Sequence, residues 1–362
     1  MYEDHVIGVV VPAYNEEGLI GDVIRSIPTY VDRVFLVDDA STDGTWEEAL
    51  AAAREDERTR NLDATEGATE ADGEPGRTQT LVSDGGELLA ERASVREPVG
   101  RVVPIRHTEN LGAGGAIKTG YLAAARDVVD VVVTMDGDGQ MDPSHMPKLL
   151  DPIVEDDADY AKGNRLAYKH YREEMPAFRF LGNSILTFLT KIASGYWKTM
   201  DPQNGYTAIS RYALDNVGVE ALYEYYGYCN DLLVRLNAKG MRVADVGIPA
   251  TYGDEKSNIS YPTYIRNVSG MLLRDFLWRL KSRYLVLDFH PLALFYFFGA
   301  GTVGIGVLAQ TWAVYRTLFL GGSLFVPAAL GLILFLIGSL FLMFAMLFDM
   351  QVNKESEVQI HE

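Results

Sequence analysis

The sequence predicts an α/β domain on a mixed, mostly parallel sheet, followed by an amphipathic helix on a membrane surface and two transmembrane helices. Three observations lead there. From residue 5 onward, apolar β-branched runs alternate with segments of helical spacing, the pattern of βαβ units around a parallel sheet. Residues 292–315 and 326–348 contain no charged side chain, and each stretch is long enough as a helix to cross a hydrocarbon core of roughly 30 Å. Just before them, residues 262–290 set Met271, Leu272, Leu273, Phe276, Leu277, Trp278 and Leu280 beside arginines, the composition of a helix lying on a bilayer.

The elements follow in order. HVIGVVVP (5–12) reads as a buried first strand. NEEGLIGDVIRSI places Leu19, Ile20, Val23, Ile24 and Ile27 at helical spacing; RVFLVDDAS is a second strand and DGTWEEALAAAR a second helix. The alternation then stops. Residues 55–100 hold twelve Asp and Glu against five Arg, and are expected to form an acidic insertion that is mostly disordered or loosely ordered. The sheet resumes at RVVPIRH, GAGGAIKTGYLAAAR forms a helix, and DVVVTMD a central strand. Mixed elements continue to residue 260. The expected organisation is a domain over 1–260, interface helices over 261–290, two spans over 291–350 and a cytoplasmic tail over 351–362. Arg274, Arg279, Lys281 and Arg283 precede the first span while Arg316 alone lies in the connector, so the positive-inside rule places the domain in the cytoplasm. The acidic start, MYEDHV, does not have the pattern of a signal peptide.

Charge narrows the partners. The formal net charge of −18 argues against nucleic acid, whose phosphate backbone needs a basic face. It fits a protein kept soluble in high salt by surface carboxylates, as in a haloarchaeal cell. Cys229 is the only cysteine, which excludes an internal disulfide and argues against a zinc cluster.

TMDGDGQMDP (134–143) packs Asp136, Asp138 and Asp142 directly after Val131-Val132-Val133. Ligands of an open parallel sheet bind beyond the carboxyl ends of its strands. Alternate residues leaving a strand can converge their carboxylates on one ion, and hard oxygen ligands suit Mg²⁺ or Mn²⁺, with substrate phosphates completing the shell. A solvated acidic turn is the simpler reading of a lone Asp-x-Asp; the strand in front and the neighbouring motifs favour the ion. Asp38 and Asp39 end the second strand, where carboxylates can accept from a nucleoside base and from ribose hydroxyls. NLGAGGAIKTG (110–120) is glycine-rich at a helix start, whose N–H groups favour an anionic phosphate, though close helix–sheet packing explains the same glycines almost as well.

Taken together, VPAYNEE, VDDAS with TDGT, NLGAGGAIKTG, DGDGQMDP, GNR (163–165), DPQNGY (201–206) and YGDEKSNIS (252–260) resemble the family-2 glycosyltransferases of the Rossmann-like GT-A fold. The closer likeness is to the polyprenyl-phosphate branch, the dolichyl-phosphate mannose and glucose synthases. The resemblance implies that Pro12, Tyr14, Glu16 or Glu17, and Asp39 hold base and ribose, with Lys118 among the nucleotide-binding groups. Lys256 and Ser257 match a mobile loop closing over the nucleotide. Asp136, Asp138 and Gln140 match the metal-binding element, with Asp138 counted as catalytic. Arg165 matches a residue that approaches phosphate, and Arg179 and Asn183 match positions binding the acceptor phosphate. Asp231 stands where relatives that glycosylate hydroxyls keep a catalytic base. DPQNGY departs from the mannose synthases, which usually carry Ser and Phe around that glycine.

The chemistry agrees with the resemblance. Transfer from a nucleotide sugar needs a stabilised diphosphate leaving group. A phosphate acceptor is already anionic and needs no general base, only cations to place it. EMPAFRFLGNSILTFLTKIASGYW (174–197) joins cations to apolar residues at helical spacing, as a lipid phosphate entering from a bilayer requires. The expected activity is inverting transfer of a hexose from a nucleotide sugar to dolichyl phosphate for protein glycosylation. UDP-glucose is favoured, with GDP-mannose and UDP-GlcNAc as alternatives. The competing readings are a glycosyltransferase with a hydroxyl acceptor and Asp231 as base, and a non-catalytic membrane scaffold.

Overall fold

The computed structural model describes residues 1–67, 85–167, 177–249, 261–321, 323 and 325–360. The first half runs β1 (Ile7–Ala13), α1 (Ile20–Ser26), β2 (Arg33–Asp38), α2 (Thr45–Gly67), α3 (Gly85–Arg92), β3 (Ala93–Val95), β4 (Val102–His107), α4 (Ala113–Ala124), β5 (Val131–Thr134) and α5 (Met146–Val154). The second half runs β6 (Tyr160–Asn164), α6 (Ala177–Ser194), β7 (Thr207–Ser210), α7 (Arg211–Asn216), α8 (Tyr228–Ala238), β8 (Val243–Gly247), α9 (Tyr261–Lys281), α10 (Leu292–Leu320), α11 (Phe325–Val352) and β9 (Glu357–Ile360).

Among the described residues, nine strands form one sheet in the order β3-β4-β2-β1-β5-β7-β6-β8-β9. β1 pairs parallel with β2 and β5, β2 with β4, and β6 with β8. β7 runs antiparallel to both β5 and β6, so β6 points the same way as β5. The carboxyl ends of β1, β2, β5 and β6 therefore share one edge, the side on which such sheets bind ligands. The two-residue period of the strands divides the core. Val9 and Val11 enter one apolar layer with Ile24, Leu36 and Leu149, whereas Val10 enters the opposite layer with Ile117, Tyr121 and Leu232.

Two expectations need correction. The acidic stretch 55–100 is not a loose insertion throughout: α2 continues to Gly67, and α3, β3 and the approach to β4 are folded. Composition misled because a buried arginine from outside the stretch ties one of its acids, Asp56, to the fold. Arg101 binds both carboxylate oxygens of Asp56, at 2.8 and 3.0 Å, and the carbonyls of Ile27, Pro28 and Val31. Residues 68–84 lie outside the described residues. Nor does the chain leave α11 as a plain tail, since β9 pairs parallel with β8 and extends the sheet.

α9 docks Val268, Met271 and Leu272 against Leu186 of α6 and Val234 of α8, and leaves Leu273, Leu277 and Trp278 exposed. α10 and α11 form an antiparallel pair in close backbone contact. A Cβ on Gly306 would sit 2.6 Å from the Phe335 nitrogen, and one on Gly338 2.6 Å from that of Val303. Only 28% and 17% of their most apolar windows are buried. Helices of 29 and 28 residues that bury so little are not core helices; both are long and apolar enough to cross a bilayer.

Candidate active site

At the shared strand edge, backbone geometry prepares the loops. Asn15 (φ 57°) and Ala40 (φ 60°) adopt left-handed conformations directly after β1 and β2. Asn15 donates its N–H to Ser41 Oγ at 3.0 Å and accepts the Thr42 N–H at 2.9 Å, tying the two loops together. A cavity of about 500 Å³ opens there, lined by Pro12, Tyr14, Glu16, Asp39, Gly112, Ala113, Asp136 and Asp138. Tyr225 and Tyr226, 65% and 58% exposed, close one side and leave ring faces available for stacking.

Asp39 is held in place before any ligand arrives. Its Oδ1 accepts from His107 Nδ1 at 2.6 Å and from the Leu111 N–H at 2.8 Å, and its Oδ2 accepts from the Gly112 N–H at 2.9 Å. A carboxylate offers about four acceptor sites, so one remains on Oδ2 for a donor in the cavity. The glycines of α4 serve packing as much as ligand. A Cβ at Gly114 would lie 2.6 Å from the Tyr223 carbonyl oxygen, and the Gly115 N–H bonds the Glu224 carbonyl at 2.8 Å. That contact seats the tyrosine segment over the cavity.

The three aspartates after β5 divide their work. Asp142 accepts from the Ser144 N–H at 2.8 Å as a cap, and the Ser144 hydroxyl first, then that N–H, keep its carboxyl below the usual range. Asp136 and Asp138 face the cavities. Burial, then the charge of Asp138, pushes the Asp136 carboxyl up to about 7, against the pull of Arg165. Burial also raises Asp138, whose Oδ1 takes the Gln140 N–H at 2.9 Å. Gly137 makes the turn feasible: its N–H bonds the Pro12 carbonyl at 3.0 Å, and a Cβ there would lie 2.9 Å from that oxygen. Ionising both carboxyls of the pair would need a compensating positive charge, which a hard divalent cation supplies. Among the described residues no group of three or more His, Cys, Asp or Glu converges on one point, so further ligands would come from a diphosphate and water.

A second cavity of about 130 Å³ shares Asp136 and Asp138 and adds Gln140, Arg165, Gln203, Asn204 and Tyr206. Arg165 follows β6 and is fixed by a fork from Asp201: Nε to Oδ2 at 2.7 Å and Nη2 to Oδ1 at 2.9 Å. Burial pushes the Asp201 carboxyl up, but the Arg165 charge and bonds more than offset it and hold it below its ordinary value. Behind the fork, buried Lys162 binds Asp245 at 2.9 Å, and Asp245 takes the Asn164 side-chain amide at 2.6 Å.

Several expected residues stand elsewhere. Lys118 does not line the nucleotide cavity: its amine pairs with Glu224 at 2.8 Å, beside Arg92, so it supports the tyrosine segment instead. Glu17 accepts the Gly44 N–H at 3.1 Å near the start of α2, leaving Glu16 as the acid that lines the cavity. Asp231 is buried, with both oxygens on Arg235 Nε at 2.9 Å and Oδ2 on the Tyr223 N–H at 2.8 Å. It lines neither cavity, so it lacks the exposure a catalytic base needs. Lys256 and Ser257 lie outside the described residues, as do the side chains of Arg179 and Asn183 on α6. His107 and the Glu224–Tyr226 segment carried no sequence signal of their own. Asp201 sits in the DPQNGY motif, but its partner Arg165 is 36 positions away.

The glycosyl transferase family 2 model matches residues 8–68 and 80–218, and the chain belongs to that family. It is a glycosyltransferase with the mixed, mostly parallel GT-A sheet. Over 250 residues it is 27% identical to the UDP-N-acetylglucosamine–dolichyl-phosphate N-acetylglucosaminyltransferase of Methanococcus voltae, covering 69% of this chain and 87% of that one. Over 243 residues it is 27% identical to a dolichyl-phosphate hexose transferase of Haloferax volcanii, covering 67% and 82%. Among solved structures it is similar to glucosyl-3-phosphoglycerate synthase of Mycobacterium tuberculosis in complex with Mn²⁺, uridine diphosphate and glucosyl-3-phosphoglycerate. That match has a TM-score of 0.45 and 20% identity over 76% of this chain and 80% of that one.

Proposed function

We propose that the protein is a membrane-anchored, inverting glycosyltransferase that moves one sugar from a UDP-sugar, UDP-glucose first, to dolichyl phosphate on the cytoplasmic face. The observation that carries this is the meeting of two cavities at Asp136 and Asp138, one with the size and lining for a nucleotide, the other bounded by Arg165. Two relatives whose names include dolichyl phosphate, and helices long enough to anchor the enzyme beside a lipid, support the acceptor.

In this reading Asp39 accepts from the base and Tyr225 or Tyr226 stacks on it. Asp136 and Asp138, with Gln140, would hold a divalent cation, which when bound neutralises charge developing on the leaving diphosphate. Gln203 lines the second cavity, and its side-chain nitrogen and oxygen are buried without a protein partner; it is placed to hydrogen-bond sugar hydroxyls. Arg165 orients the acceptor phosphate, which attacks the anomeric carbon in line and opposite the diphosphate, inverting the centre. The hydroxyl-acceptor alternative loses support because Asp231 is committed to Arg235 and Tyr223.

Membranes carrying the protein should be incubated with labelled UDP-glucose, UDP-GlcNAc and GDP-mannose plus dolichyl phosphate. The expected result is label in a mild-acid-labile lipid. Absence of lipid-linked label with every donor would overturn the proposal.

A further inference from the structure

The chain passes through α10 and α11 and then rejoins the catalytic sheet within reach of the site. Buried polar bonds hold the junction. Arg279 of α9 and Asp349 of α11, both fully buried, pair at 2.7 Å, and Asn353 accepts the Asn237 side-chain amide of α8 at 2.8 Å. β9 then aligns Glu357 with Val243 and Gln359 with Asp245 of β8. The Glu357 carboxylate turns back onto the segment between α6 and β7. Its Oε1 accepts the Trp197 N–H at 3.0 Å, and its Oε2 accepts the Lys198 N–H and, at 3.0 Å, that of Thr199. Successive N–H groups converging on one carboxylate form an anion-binding nest, here filled by a side chain from the far end of the protein. The next residue, Met200, donates its N–H to Asp245 at 3.2 Å, and its carbonyl accepts from the Lys162 amine. The residue after that is Asp201, which holds Arg165.

We infer that Glu357 is a positioning residue for sugar transfer: by fixing residues 197–199 it sets Asp201, and through Asp201 it aims Arg165 at the acceptor phosphate. The inference rests on the role proposed above for Arg165. The nucleotide cavity is lined by β1, the turns after β1, β2 and β5, the start of α4 and Tyr225–Tyr226, whereas among the described residues the Glu357 carboxylate bonds only residues 197–199. The tail thus acts on acceptor use and leaves donor binding alone.

The test uses full-length protein in detergent or membranes. Glu357→Ala should lower kcat/KM toward dolichyl phosphate at least about tenfold, leave UDP affinity within about twofold, and speed amide hydrogen exchange at 197–201. Glu357→Gln, which keeps one carbonyl acceptor, should fall between wild type and Glu357→Ala. In an Asp201→Asn background, Glu357→Ala should add less than about twofold, because the same link is already cut. Normal acceptor kinetics in Glu357→Ala, an equal loss of UDP affinity, or full additivity with Asp201→Asn would overturn the inference. If Glu357→Ala does not fold, Glu357→Gln, alone and combined with Asp201→Asn, tests the same coupling by the same criteria. Wild-type protein inactive on dolichyl phosphate would sink the functional proposal instead; unchanged exchange at 197–201 would still refute the positioning role.

Discussion

Arg165 and Asp201 form a two-point fork at 2.7 and 2.9 Å, and the Arg165 N–H adds a third bond to Asp201 Oδ2 at 3.1 Å. Asp201 itself is buried and held at φ 47°, a left-handed backbone that a non-glycine residue adopts only when its surroundings fix it. The acidic residue is therefore the rigid member, and the arginine takes its direction from it.

Asp201→Asn should misdirect Arg165. The amide keeps the shape but loses the charge and one acceptor. Loss of a charge-assisted hydrogen bond costs roughly 1.5–3 kcal/mol, so kcat/KM toward the acceptor should fall about tenfold to a hundredfold. Steady-state kinetics with dolichyl phosphate varied at saturating donor checks this; unchanged kinetics would remove the fork from the reaction. The pH dependence has a definite sign. With its folded value held below the ordinary Asp value of about 3.9, Asp201 contributes stability that is fully present above that value and lost as pH falls below it. Acidification from pH 7 to 5 should leave the fork intact.

Asp138→Asn removes one anionic ligand beside Asp136. Removing one group that stabilises transition-state charge typically costs about 10²–10³ in rate. EDTA should reproduce the loss in the wild type, and Mg²⁺ or Mn²⁺ should restore it. Full turnover in EDTA would contradict the carboxylate pair as a cation site.

His107→Ala takes one of three bonds from Asp39 and leaves the carboxylate held only by the Leu111 and Gly112 N–H groups. Donor KM should rise about tenfold, the equivalent of one hydrogen bond to a charged group, with kcat within about threefold. A fall in kcat with unchanged KM would place His107 in the chemical step instead.

Much of this arrangement was legible in the sequence because it is local. Val131-Val132-Val133 and the residues after it predict both a strand and the position of Asp136 and Asp138 at its end. VDDAS works the same way for Asp39, whereas Pro12 and Tyr14 were reached only through the family resemblance of VPAYNEE. What stayed hidden depends on pairing across the chain. Nothing near Lys118 shows that its partner is Glu224, and nothing near Asp231 shows Arg235 and the Tyr223 N–H consuming its oxygens. Asp56 looked like one more acid in an acidic run because the arginine that buries it, Arg101, lies 45 positions away. The tail looked free because a strand of four residues pairing with β8 leaves no periodic signature.

Asp231→Asn separates a structural aspartate from a catalytic one. The structure predicts some loss of stability, since Arg235 and the Tyr223 N–H lose charge complementarity, with kcat retained within about fivefold. A catalytic base would instead show a drop of about 10²–10⁴. Thermal melting and kcat measured on the same preparation decide between the two.

The central claim is that Arg165 and its surroundings handle a phosphate acceptor and not a hydroxyl. Its most direct test is to offer the purified protein a labelled UDP-sugar with either dolichyl phosphate or dolichol, two lipids with the same chain and different head groups. The account predicts labelled lipid with dolichyl phosphate and none with dolichol. Equal labelling of both, or labelling of dolichol alone, would contradict it.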